Sequence, residues 1–130
     1  MKNANLVFGL ILLLVFLATG VYLKTIFKPE HLADLAMRME IRANHVYILF
    51  IALLNILSVD SYPESTQKVI RFTTVASRTF LFAAGILAVV AFFTEHSGQL
   101  TGRLYTLCSA VGSLIGVGLF LISRTVARFK

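Results

Sequence analysis

Charged residues divide the sequence into four long apolar stretches. With His counted as neutral, the stretches are 16 to 21 residues long and lie at positions 3–23, 43–59, 79–94 and 104–123. A helix needs about 20 apolar residues to cross about 30 Å of hydrocarbon, and inside a bilayer every backbone group must be hydrogen-bonded within the protein. The stretches lack the alternation of membrane β-strands. They predict an all-α integral membrane protein with four transmembrane helices in an up-down bundle.

These helices are expected to form a single domain over residues 1–130. The predicted spans are about 5–26, 42–59, 74–94 and 103–123. The two shorter apolar stretches cover only about 25 Å, so they need the side chains of Arg42 and Arg78 to extend to the headgroups. For Arg78 a salt bridge to Asp60 is the alternative. Ser-Tyr-Pro-Glu at 61–64 is a capping box and predicts the start of the third helix.

The second helix is predicted to extend into water before it enters the membrane. Pro29 is typical of a first helical turn, so the helix should run from about Pro29 to about Ser58. The charged residues that follow the proline are spaced four apart, acids before bases, in the order that suits the helix dipole. They are Glu30, Asp34, Arg38 and Arg42.

Composition supports a membrane location. Hydrophobic residues make up 58% of the chain and charged residues 14%, against about half and a quarter in soluble domains. The single cysteine, Cys108, cannot form a disulfide framework or a cysteine-cluster metal site. A net charge of +6 on such a chain indicates anionic lipid headgroups as partners, not nucleic acid.

The distribution of Lys and Arg predicts the orientation. An even number of spans places both termini and the loop after the second helix on one side, which carries seven of the twelve basic residues. The positive-inside rule makes this the cytoplasmic side, because acidic residues count for little in the rule. The first stretch also resembles a secretory signal, but its apolar run continues past the tolerable cleavage site at 18–20, so we expect a retained anchor.

Polar residues fall on one face of the second helix. At 100° per residue, Glu40, Asn44 and Asn55 lie within 60° of one another. Ile48 and Ile51 come between the two asparagines along the chain and lie close to the same face. Asn55 is deep in the membrane, so it should hydrogen-bond to a neighbouring helix. A role for Asn55 in a ligand site or pathway is the alternative.

Small residues indicate how the helices associate. The fourth helix contains Gly112-x-x-x-Gly116, a spacing that lets helix backbones approach closely. Two interpretations remain open at this point. The glycines pack against another helix of the same chain, or they form a contact between protomers of a homo-oligomer or membrane complex.

Charged and titratable groups gather at the predicted non-cytoplasmic ends of three helices. A polar pocket is one hypothesis: Glu95 pairs with Arg42 or Arg103, while His45 supplies a switchable charge. In this hypothesis Tyr47 lines the wall of the pocket. Such a pocket suits a small anionic or amphipathic ligand, or a lipid headgroup. The alternative is that these side chains are ordinary interfacial anchors.

No cofactor or metal is expected. His45 and His96 lie at similar predicted depth on different helices and could ligate a haem, but no accompanying pattern is specific to haem. The sequence also lacks a Gly-rich phosphate loop, a zinc spacing and a nucleophile-base pair.

The string Arg-x-x-His-x-Tyr at 42–47, followed by Ala-Leu-Leu-Asn at 52–55, resembles a family of small four-span bacterial membrane proteins of unassigned function. The resemblance covers helices two to four and implies a four-span topology in a bacterial inner membrane, not an activity. Arg42-Ala43 after a polar helix is also similar to the membrane glutathione transferases, whose pattern is Glu-Arg-x-x-Arg-Ala-x-x-Asn. This chain departs from that pattern, with Arg38 in place of the Glu and Val46 in place of the Asn.

Two classes of function follow from these patterns. The first is a non-enzymatic four-helix membrane component that acts as an oligomeric scaffold, an accessory subunit or a binder of lipid or small ligands. The second is a small membrane enzyme of the glutathione-transferase type, which would use Arg42 and His45 on a thiol or lipid substrate.

Overall fold

The computed structural model describes residues 2–31, 33–59, 67–95 and 102–128. Four long helices occupy these ranges, and no strand occurs within them. The helices are α1 (Lys2–Tyr22), α2 (Leu35–Ser58), α3 (Lys68–Thr94) and α4 (Leu104–Arg128). Each is long and apolar enough to cross a membrane, the first as Ala4–Phe27. The prediction of an all-α integral membrane protein with four transmembrane helices is confirmed.

The first helix continues beyond Tyr22 by a π-helical turn, Leu23–Phe27, and a short helical segment, Lys28–Glu30. The chain then leaves helical geometry at His31, which has φ −120° and ψ 39°. The Asp34 carboxylate accepts a hydrogen bond from the Met37 backbone N–H at 2.9 Å, and α2 begins after this cap.

The predicted start of the second helix at Pro29 is therefore wrong. Pro29 belongs to the extension of the first helix, and the cap at Asp34 provides a later start because its side chain satisfies an N–H that has no intrahelical partner. Glu30 and Arg42 consequently belong to different helices. The capping box at 61–64 lies outside the described residues, within which α3 begins at Lys68.

Helices that are consecutive along the chain pack against one another, with α2 and α3 in the middle. On one side α1 contacts both: Gly9 lies against Ala52 of α2, and Phe8 stacks on Phe82 of α3 with ring centroids 3.9 Å apart. A Cβ atom on Gly9 would lie 3.0 Å from the Ala52 carbonyl oxygen, so glycine permits this approach. On the other side α4 packs mainly along α3.

The buried core is small and lies between the helices. It includes Leu12, Ile48, Ile51, Ala88 and Phe92, each at most 2% exposed. Large apolar side chains elsewhere on all four helices point outwards. A bilayer removes the penalty for exposing such side chains, so close packing and interhelical hydrogen bonds hold the helices together.

Candidate functional site

One amide side chain joins three helices at the end of the bundle where α3 stops and α4 starts. The Nδ2 atom of Asn44 donates to the carbonyl oxygens of Ala91, at 3.2 Å, and Glu95, at 3.1 Å. Its Oδ1 atom accepts a hydrogen bond from the Arg103 guanidinium and lies 3.2 Å from Thr106 Oγ1. Asn44 is 1% exposed. The side chain predicted to take part in helix packing therefore ties α2 to both α3 and α4.

The Glu95 carboxylate caps the following helix. Oε2 accepts hydrogen bonds from the Thr106 backbone N–H at 2.9 Å and from the Thr106 hydroxyl at 2.6 Å, while Oε1 accepts from the Tyr105 N–H. Both N–H groups belong to the first turn of α4, where they have no intrahelical acceptor. The helix dipole also favours a negative charge at this position.

The surroundings of Glu95 keep it ionised. Burial of the carboxyl group by itself raises its pKa, but the hydrogen bonds from Thr106 and Tyr105 and the positive charge of Arg103 lower it by more. The pKa of Glu95 is therefore below its ordinary value. A carboxylate in this state suits a structural anion better than a proton donor at neutral pH.

The other three residues of the predicted pocket do not face this cluster. Arg42 is exposed and lines a shallow apolar groove on the outside of α2 with Val46 and Phe50. The Tyr47 hydroxyl lies 3.2 Å from Ser113 Oγ on α4. Glu95 and Arg103 come together with Asn44, whereas Arg42 and Tyr47 both line the groove on the outside of α2.

His45 lies between α1 and α2. Its ring stacks on Phe16 with centroids 4.2 Å apart and planes inclined by 15°, and Nδ1 is 3.0 Å from Thr19 Oγ1. A Cβ atom on Gly20 would lie 3.3 Å from the ring, so the first helix closes tightly over the imidazole. His45 and Arg42 therefore have different surroundings although they are three residues apart.

A second polar cluster joins α1, α2 and α3. Asn55, which is fully buried, accepts a hydrogen bond from Asn5 Nδ2 at 2.9 Å and donates through its own Nδ2 to the Leu81 carbonyl at 3.2 Å. Asn5 also lies 3.4 Å from the Arg78 carbonyl. The expectation that Asn55 bonds to a neighbouring helix is met by these contacts.

Gly112 and Gly116 face α3 of the same chain. A Cβ atom on Gly116 would lie 3.0 Å from the Leu81 side chain, and one on Gly112 would lie 3.7 Å from Ala84 Cβ. Two serine hydroxyls reinforce this contact: Ser77 donates to the Gly116 carbonyl at 2.7 Å, and Ser109 donates to the Ala84 carbonyl at the same distance. Of the two interpretations of these glycines, packing within the chain matches this geometry.

Sequence reasoning missed two contributors to the polar clusters. Thr106 organises the Asn44 and Glu95 contacts, and its only sequence signal is a hydroxyl residue in the first turn of α4. Asn5 pairs with Asn55, and an amide near the start of an apolar helix is its only signal.

Among the described residues, no group of three or more His, Cys, Asp or Glu side chains is placed to hold a metal ion. His96, the second residue of the haem alternative, lies outside these residues. Comparisons with protein-family models, curated proteins and solved structures gave no match. The resemblances drawn from the sequence therefore stay predictions, and any functional assignment depends on the chain's own geometry.

Proposed function

We propose that the protein is a non-enzymatic component of a bacterial inner membrane that binds lipid or a small amphipathic molecule on its outer surface. One observation carries this proposal: an apolar groove on the outside of the bundle has a cationic residue in its wall. The groove has a volume of about 180 Å³ and runs between α2 and α4. Its lining residues are Leu54, Leu57, Ser58, Leu81, Val117, Phe120, Leu121 and Arg124.

The arrangement of the interior favours binding over catalysis. The polar atoms that Asn44, Glu95 and Asn55 contribute are engaged in interhelical hydrogen bonds. An enzyme that used Arg42 and His45 on one substrate would need both side chains to face a common space. Arg42 is instead exposed, whereas His45 is stacked under α1.

The proposed orientation places both termini in the cytoplasm. It is supported by the excess of Lys and Arg on the side that holds the termini and the segment between α2 and α3. Thiol labelling of intact cells tests it, with Cys108 first replaced by Ala. A cysteine in place of Gly98 should react with a membrane-impermeant reagent, whereas one in place of Ser61 should react only after the cells are opened. Equal labelling of the two positions would contradict the orientation.

The proposed role is tested on purified protein in mild detergent. Native mass spectrometry should detect bound lipid, and incubation with glutathione and an electrophile should give no turnover above the protein-free rate. Turnover that disappears in both Arg42→Ala and His45→Ala would favour the enzyme alternative. A large, lipid-free complex would favour the scaffold role.

A further inference from the structure

We propose that the groove between α2 and α4 is a site for one anionic phospholipid, with an acyl chain in the groove and the phosphate at Arg124. This inference rests on the proposed function, because it names the ligand class of the same surface. The site requires three features: an apolar groove, a cation at the end of the groove, and a location of that cation at the membrane edge.

The groove is suited to a hydrocarbon chain. Leu81 of α3 lies at its base, 1% exposed, while Leu57 and Leu121 on its two rims are more than half exposed. Along α4 the lining runs from Val117 to Arg124, a rise of about 10 Å. Among the lining residues that the structure describes, none is acidic.

A cationic side chain, Arg124, lies at the end of the groove. The Arg124 guanidinium carbon is 5.8 Å from the centroid of the Phe120 ring, one helical turn earlier, so an aromatic residue of the groove positions the charge. Arg128 follows one turn later, and the two arginines line an adjoining recess with Leu121 and Thr125. Guanidinium groups bind phosphate oxygens in a bidentate manner.

The cation also lies at a suitable depth. Arg124 is one turn before the end of α4 at Arg128, so its guanidinium reaches the level of the headgroups when α4 spans the bilayer. Because lipid tails gain little from leaving other lipid for an apolar groove, the selectivity of the site must come from the headgroup charge. The geometry therefore points to an anionic lipid over a zwitterionic one.

The test compares phosphatidylglycerol and phosphatidylcholine with identical acyl chains, titrated separately into the whole protein in neutral detergent and followed by native mass spectrometry. The wild type should bind phosphatidylglycerol more tightly. Arg124→Gln should weaken phosphatidylglycerol binding about fivefold, the value of one basic residue near a headgroup. It should weaken phosphatidylcholine binding by less, because the choline cation offsets the charge of that lipid's phosphate.

A matched control is Arg71→Gln. Arg71 is exposed in the first turn of α3, at the same edge of the bundle, and does not line the groove. Its replacement should leave the preference intact. Equal losses in Arg71→Gln and Arg124→Gln would show general surface attraction and overturn the site.

Two further measurements test the acyl-chain part. Val117→Phe, checked for native helicity by circular dichroism, should fill the groove and weaken both lipids; unchanged binding in the folded variant would overturn the site. If that variant does not fold, Leu121→Phe on the exposed rim is used with the same expectation. Glycerol phosphate, which has a headgroup but no chains, should not displace the lipid at equal concentration, and full displacement would also overturn it.

These outcomes are distinguishable from failure of the proposed function. Equal affinity of the wild type for the two lipids overturns the anionic site but leaves a lipid-binding membrane component. Glutathione turnover that depends on Arg42 and His45 overturns the proposed function itself.

Discussion

The Glu95 carboxylate accepts a hydrogen bond from the Thr106 backbone N–H at 2.9 Å, so the residue that follows α3 caps the first turn of α4. The Glu95 carboxylate, which the sequence suggests as part of a ligand pocket, is thus bound by backbone N–H groups of α4. Asn44 holds the same junction from α2. Together these contacts fix how three helix ends meet.

Replacing Glu95 with Gln should destabilise the bundle. The amide retains one acceptor oxygen but places an NH2 group against an N–H donor of α4, and it removes the charge that faces the helix dipole. We expect a loss of about 1–3 kcal/mol in the free energy of unfolding, measured by denaturant titration in detergent with circular dichroism. Thr94→Ala, at the exposed neighbouring position, should change stability by less than about 0.5 kcal/mol. Equal effects of the two changes would contradict the capping role.

The stabilisation from Glu95 should depend on pH. Because its pKa is lower in the folded protein than its ordinary value of 4.5, the unfolded chain binds a proton more readily than the folded one. The contribution is complete above pH 4.5 and is lost as the pH falls through the folded-state pKa. The difference in stability between wild type and Glu95→Gln should therefore shrink in acid when measured at a series of pH values. A difference that grows on acidification would contradict the direction of this shift.

The Asn5 and Asn55 side chains should be energetically coupled. Asn55→Ala removes the acceptor for Asn5 and the donor to the Leu81 carbonyl. A double-mutant cycle with Asn5→Ala should give a coupling free energy of about 0.6–1.7 kcal/mol, the range for interhelical hydrogen bonds in membranes. Thr125→Ala, on the exposed side of α4, combined with Asn55→Ala should be additive. Coupling between Thr125 and Asn55, or additive effects of the Asn5 and Asn55 changes, would contradict the hydrogen bond between the two asparagines.

Gly116 should tolerate a methyl group less well than the other glycines of α4. Gly116→Ala places Cβ 3.0 Å from the Leu81 side chain and 3.3 Å from its backbone nitrogen, so we expect destabilisation of about 1–3 kcal/mol. Gly118→Ala meets nothing within 4 Å and should stabilise the helix by up to about 1 kcal/mol. Denaturant titration gives both values. Unchanged stability with an altered oligomeric mass for Gly116→Ala would instead favour a contact between protomers.

The polar face of α2 was predictable because helical periodicity is a local property. Glu40, Asn44 and Asn55 lie within a narrow angle on any α-helix, and all three are buried. Their partners were not predictable. The two backbone acceptors of Asn44 are the Ala91 carbonyl in α3 and the Glu95 carbonyl just after it, and no residue type marks such atoms.

The sequence by itself determined that four helices form, because the charge-free stretches match the thickness of a bilayer in which backbone groups must bond internally. It did not determine which side chains share a site. Residues 42 to 47 point in several directions around α2, so the packing of α1, α3 and α4 decided that His45 meets Phe16, Tyr47 meets Ser113 and Asn44 meets Arg103. The groove at Arg124 likewise exists only through the placement of α4 beside α2 and α3. These contacts depend on the rotation and spacing of helices distant in sequence, which close packing of the whole bundle fixes.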